Sequence, residues 1–86
     1  IASPDGRVFI NTTGNAGLGS GGTGDVLTGS IAAWIAQGVP PLGAACLGVY
    51  LHGRAADILK EQYGLAGFVA SEVADYLPKS RKELEQ

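Results

Sequence analysis

Ser20-Gly21-Gly22-Thr23-Gly24-Asp25-Val26-Leu27-Thr28-Gly29 is the stretch on which both fold and chemistry turn. Consecutive glycines allow successive backbone N–H groups to face one side. The apolar residues from Val26 onward begin a helix, whose free N-terminal amides and positive dipole end extend that donor surface. The loop therefore reads as an anion cradle. Asp25 is the only formally charged residue between Arg7 and Arg54, and a carboxylate kept alone in so apolar a region needs a reason. Beside a bound phosphate it has the position of a general base toward an attacking hydroxyl. The plainer reading is an N-cap, which contributes about 1 kcal/mol. Seven glycines between Gly14 and Gly29, and the absence of neighbouring charge, favour the site.

Working outward, Ile1-Ala2 and Val8-Phe9-Ile10 flank the turn sequence Ser3-Pro4-Asp5-Gly6 and predict a β-hairpin. Asn11 to Gly24 is a glycine-rich loop. Val26, Leu27, Ser30, Ile31, Trp34 and Ile35 recur at helical spacing until Gly38. After the Pro40-Pro41 corner a second helix is expected from about Leu42 to Gln62, with Leu42, Cys46, Val49 and Tyr50 on its inner stripe, continued by Ala56, Leu59 and Tyr63. Ser71 is the expected N-cap of a third helix, and Pro78 closes it or opens a fourth. Hairpin, glycine loop and then helices is the order of the C-terminal part of an α/β domain. A hairpin is not stable alone, so its sheet neighbours are expected before Ile1.

Composition narrows the field. The 86 residues carry six Lys and Arg against eight Asp and Glu, a net charge of −2, and no basic surplus exists to hold a nucleic acid. One cysteine, Cys46, excludes an intramolecular disulfide framework. The apolar share is 45%, that of a globular chain. Gln37, Gly38, Pro40 and Pro41 interrupt the longest apolar run, so no membrane span is expected. No basic segment followed by an apolar run opens the chain. It holds no methionine and starts at Ile1, which reads as one segment of a longer polypeptide.

Two familiar phosphate motifs do not fit. A Walker A loop needs a lysine after its glycines, and none occurs before Lys60. Gly19-x-Gly21-x-x-Gly24 matches the dinucleotide fingerprint by letter, without the clear preceding strand or the later acidic residue.

Asn15-Ala16-Gly17-Leu18-Gly19-Ser20-Gly21-Gly22-Thr23-Gly24-Asp25-Val26-Leu27-Thr28-Gly29 resembles the signature of the ADP/ATP-dependent NAD(P)H-hydrate dehydratases, the YjeF C-terminal, carbohydrate kinase-like family of the ribokinase-like superfamily. Tyr50-Leu51-His52-Gly53, Ala55-Ala56-Asp57 and Ala70-Ser71-Glu72 continue the likeness. Ala16 and Gly19 stand where proline and alanine are usual, which alters loop stiffness rather than the cradle. The resemblance implies that residues 1–86 are the C-terminal segment of a ribokinase-like three-layer α/β domain: β-hairpin, glycine-rich anion loop, then three or four helices. It implies a cytoplasmic lyase, homo-oligomeric when whole, that dehydrates hydrated NADH and NADPH with ADP or ATP and Mg²⁺. Asp25 would be the base and a substrate contact, Gly21, Gly22, Thr23 and Gly24 would bind the nucleotide phosphates, and Asn15 would border the substrate. No residue is expected to ligate a resident metal. His52, Cys46, Trp34 and Tyr50 read as core, with the second helix a candidate wall for the adenine. Two rivals remain open: a small-molecule kinase of the same superfamily using Asp25 in the same way, and an inactive module that only folds or associates.

Overall fold

The computed structural model describes residues 1–19, 21–64 and 68–85. Three helices account for most of them: α1 over Thr23–Ala36, α2 over Pro41–Tyr63 and α3 over Ala70–Leu84, with a short 3-10 turn at Ala16–Gly19 before α1. Each boundary has a local cause. Helix α1 stops where Gly38 takes φ 95°, its N–H donating to Ile35 O at 3.0 Å while Val39 N–H reaches Trp34 O at 3.1 Å. Pro41 then occupies the first turn of α2, where a missing N–H costs nothing. Gly64, at φ 77°, ends α2.

Two expectations about α3 need correction. Its N-cap is Val69, not Ser71, and Glu72 supplies the cap by accepting the Val69 N–H at 3.1 Å. The chain also runs as one helix through Pro78, so no fourth helix forms. Just beyond the proline, buried Ser80 Oγ lies 2.9 Å from Leu77 O and 3.1 Å from Leu51 O, linking α3 to α2.

The N-terminal hairpin is likewise reduced. The turn closes through Ser3 N–H to Arg7 O at 2.8 Å and Phe9 N–H to Ile1 O at 2.8 Å. Its ladder is the single antiparallel bridge Ala2↔Val8, and no strand forms among the described residues. Val8 is 71% exposed and Ile10 88%. Without a sheet to cover these side chains, little holds the ladder beyond one bridge.

Helix α2 is the central element, packed against both α1 and α3. Its buried residues are Ala44, Gly48, Leu51, His52, Gly53, Ala55, Ala56, Ile58 and Leu59, not the stripe through Leu42, Cys46, Val49 and Tyr50, which is only half-buried. Small side chains let neighbours approach most closely. A Cβ at Gly48 would fall 2.5 Å from Ile31 Cγ1 of α1. Ala55, Ala56, Leu59, Phe68 and Val73 form the core, with Leu18, Val26, Tyr76 and Leu77 packed on it. At the surface Arg54 Nε pairs with Glu83 at 2.8 Å between α2 and α3, a bond that holds the Glu83 carboxyl below its usual range.

Candidate functional site

The expected site residues converge where the glycine loop enters α1. Gly22 is the N-cap, with φ 90° and no side-chain cap, a left-handed conformation that an L side chain rarely adopts. Thr23, Gly24 and Asp25 are the first three residues of the helix. Their N–H groups are among those a helix leaves without internal partners. Gly21, Gly22, Gly24 and Asp25 are exposed, and Thr23 is buried. No heavy atom lies within 4 Å of where a Cβ would sit on Gly21 or Gly24, so the amide side of the junction is open. The Asp25 carboxylate makes no hydrogen bond or ion pair among the described residues, and it does not cap the helix. Ser20, the first residue of the motif quoted above, lies outside the described residues.

The loop is held from below by α2. The Thr23 hydroxyl donates to Leu18 O at 2.6 Å, and His52 Nε2 lies 2.9 Å from Thr23 O. A carbonyl only accepts, so Nε2 carries the proton. Asp57 accepts the Gly14 N–H at 3.1 Å and Asn15 Nδ2 at 2.9 Å. Asn15 Oδ1 in turn accepts the Gly17 N–H at 2.9 Å. Thr13 Oγ1 reaches Tyr50 O at 2.8 Å, and the Thr13 backbone rests on Gly53. Asn15, expected at the substrate, therefore spends its amide group on shaping the loop.

His52 and Asp57 are the side chains that reading the sequence undervalued. His52 had the look of a core histidine, and Asp57 stood out only within the family likeness. One signal was present: a glycine inside a helix pattern, here Gly53, marks close backbone approach. Asp57→Asn is expected to lower stability by about 1–2 kcal/mol, since an amide cannot accept from both donors and one would be left unpaired. Denaturant unfolding measures it.

Burial holds the His52 pKa below its ordinary value of 6.5, against a smaller raising effect of the bond to Thr23. The unfolded chain therefore takes up this proton first as pH falls. The His52 contribution is complete above about pH 6.5 and lost through the lower folded value. Thermal melts at about pH 7.5 and 5.5 are expected to show a lower Tm in acid, with a smaller drop in His52→Gln.

No group of three His, Cys, Asp or Glu side chains is placed to hold a metal ion among the described residues. No helix is long and apolar enough to cross a membrane among them either. The largest groove described, about 550 Å³, lies between α1 and α3 and is lined by Trp34, Leu51, Leu77 and Arg81, with none of the loop residues. Arg81 covers the Trp34 ring at 5.2 Å, so Trp34 is half-buried under a cation rather than in the core.

An open glycine turn feeding a helix N-terminus, with an unbonded carboxylate in the first turn, is the geometry of an anion-binding loop–helix junction. The chain belongs to the NAD(P)H-hydrate dehydratase family, whose pattern it matches over residues 1–79. It is 53% identical over 75 residues to the ADP-dependent (S)-NAD(P)H-hydrate dehydratase of Neisseria meningitidis serogroup B, covering 86% of this chain and 25% of that protein. The bifunctional NAD(P)H-hydrate repair enzyme Nnr of Moorella thermoacetica is 49% identical over 86 residues, covering 100% of this chain and 16% of that one. The Bacillus subtilis ADP/ATP-dependent NAD(P)H-hydrate dehydratase, co-crystallised with ATP/Mg²⁺, superposes with a TM-score of 0.88 at 39% identity, over 93% of this chain and 29% of that one. The described fold is thus that of one part of these proteins. The chain spans about a quarter or less of the curated relatives described.

Proposed function

We propose that residues 1–86 are the C-terminal, phosphate-handling segment of a ribokinase-like three-layer α/β domain that dehydrates hydrated NADH and NADPH at the expense of ADP or ATP. The observation that carries the reading is the exposed, unbonded Asp25 carboxylate immediately behind the open glycine turn, in a chain of this family. Gly21, Gly22, Thr23 and Gly24 present backbone amides to the terminal phosphates. Asp25 takes the proton of the ring hydroxyl as its oxygen attacks the terminal phosphorus. The phosphorus–oxygen bond to the rest of the nucleotide breaks, and the amides stabilise the charge that develops on the transferred group. Departure of phosphate from the ring, with loss of the neighbouring ring proton, restores the double bond. Asn15 borders the substrate through the loop it shapes.

The donor set, amides without a cationic side chain, suits an anion. Mg²⁺ would be carried by the nucleotide phosphates, with Asp25 as the carboxylate at hand. Bound there it supplies further neutralisation of phosphoryl charge. We place the whole protein in the cytoplasm as a homo-oligomer, on the likeness to this family.

The test is product analysis with the intact polypeptide, hydrated NADH, and ADP or ATP with Mg²⁺. Nucleotide-dependent return of reduced-nicotinamide absorbance with release of inorganic phosphate is expected. A stable phosphorylated product from another alcohol, without that return, would point to a small-molecule kinase. A folded polypeptide that binds no nucleotide would leave a structural module.

A further inference from the structure

We infer that His52 is a positioning residue for the anion-binding loop, acting through the Thr23 carbonyl. Its effect on turnover rests on the dehydratase reading; its effect on the loop does not. The argument begins with a covalent fact. Thr23 C=O and Gly24 N–H belong to one planar, trans peptide unit, so the two groups point in opposite directions. Whatever fixes the carbonyl therefore aims the amide. His52 Nε2–H holds that carbonyl at 2.9 Å, from a side chain only 6% exposed in α2.

Nothing else could aim the Gly24 amide as directly. Gly24 has no side chain, and no heavy atom lies within 4 Å of its Cβ position. Gly22, two residues earlier, is also free of side-chain restraint. The Thr23 hydroxyl anchors to Leu18 O at 2.6 Å, which pins the residue but leaves the tilt of the following peptide plane open. The imidazole closes that freedom. Donation to a carbonyl also polarises the peptide unit and strengthens its N–H as a donor. A histidine serving only as core filling would have no need to direct its one ring N–H at this peptide.

The experiment compares His52→Leu, which keeps bulk and removes the donor, with His52→Gln, which keeps an N–H, in the intact polypeptide. Calorimetric ADP titration counts folded sites, so turnover is expressed per competent site. His52→Leu is expected to lower kcat/KM about 100-fold, most of it in kcat, because a misaimed donor hurts the transition state most. ADP affinity should weaken by about threefold to tenfold, and His52→Gln should restore both to within roughly threefold. Exchange of the Val26 amide, bonded to Gly22 O at 3.2 Å, should quicken in His52→Leu alone. A per-site kcat unchanged in His52→Leu, or equal losses in both variants, overturns the inference. If the wild-type protein binds ADP without dehydrating anything, the dehydratase reading fails and the ADP affinities decide the role of His52. If it binds no ADP, Val26 exchange decides it, and equal rates in all three proteins overturn it.

Discussion

Asp25→Asn in the intact polypeptide is expected to cut kcat by about 10²–10⁴-fold, the range over which a positioned general base acts. The same change should leave folding almost untouched. Asp25 is exposed and its carboxylate has no bonded partner among the described residues, so stability loses only its interaction with the helix dipole, about 0.3–1 kcal/mol. That asymmetry separates a base from a cap. Asp25 does not cap α1, so a large stability loss with modest kinetic loss would contradict the assignment. ADP affinity should stay within about threefold, because the amides that hold phosphate are backbone groups. Parallel chemical denaturation, ADP titration and single-turnover kinetics measure the three quantities. Turnover that survives the substitution would remove Asp25 as the base.

Gly53→Ala is expected to be the most damaging single-methyl addition in the molecule's helices. An alanine inside an exposed helix normally gains about 0.5–1 kcal/mol over glycine, so the expected sign here is the reverse of the usual one. The added Cβ would lie 2.7 Å from the Thr13 carbonyl carbon and 2.8 Å from its oxygen, besides pressing on the Thr13 hydroxyl. These are mainly backbone atoms, which cannot swing aside as a side-chain tip can. The loss should reach about 3 kcal/mol, the upper end for overpacking, or a fall in Tm of at least ~10 °C for a chain this size. Gly48→Ala is the internal control. Its nearest obstacle is the Ile31 side chain at 2.5 Å, which can change rotamer, so the loss should be clearly smaller. If the two substitutions destabilise equally, the rigid seat of the loop on α2 is wrong. Because Thr13 leads into the Gly14–Gly24 loop, Gly53→Ala should also weaken ADP binding in whatever fraction stays folded.

The N-terminal segment shows where local pattern stops being enough. Ser3-Pro4-Asp5-Gly6 forms its turn, with Gly6 at φ 92°, because turn geometry is set by a few neighbouring backbones. The flanking Val8 and Ile10 have strand-type side chains but remain exposed, since a strand is completed by partners that lie elsewhere in a chain. The helices were legible for the opposite reason. Their hydrogen bonds are local, and Gly38, Pro41 and Gly64 stop or start them with backbone chemistry readable letter by letter. Pro78 misled because proline weakens a helix without always ending it, and α3 is held to α2 from its far side by Ser80.

Sequence by itself determined the positions of α1 and α2, the glycine turn and the placement of Asp25 in the first turn of α1. All of these depend on residues within a few places of one another. The family likeness was legible there too, in Gly21-Gly22-Thr23-Gly24-Asp25. Only the tertiary structure decided what holds the turn in shape. Gly14 and Asn15 meet Asp57 across 43 and 42 residues of sequence, and Thr23 meets His52 across 29. Such pairings carry no periodicity, and a lone histidine or aspartate on a helix looks the same whether it faces core, solvent or loop. Which side of α2 became the inner one was decided in the same way. Alanine and glycine let other backbones come close, and close approach, rather than side-chain hydrophobicity, chose the buried face.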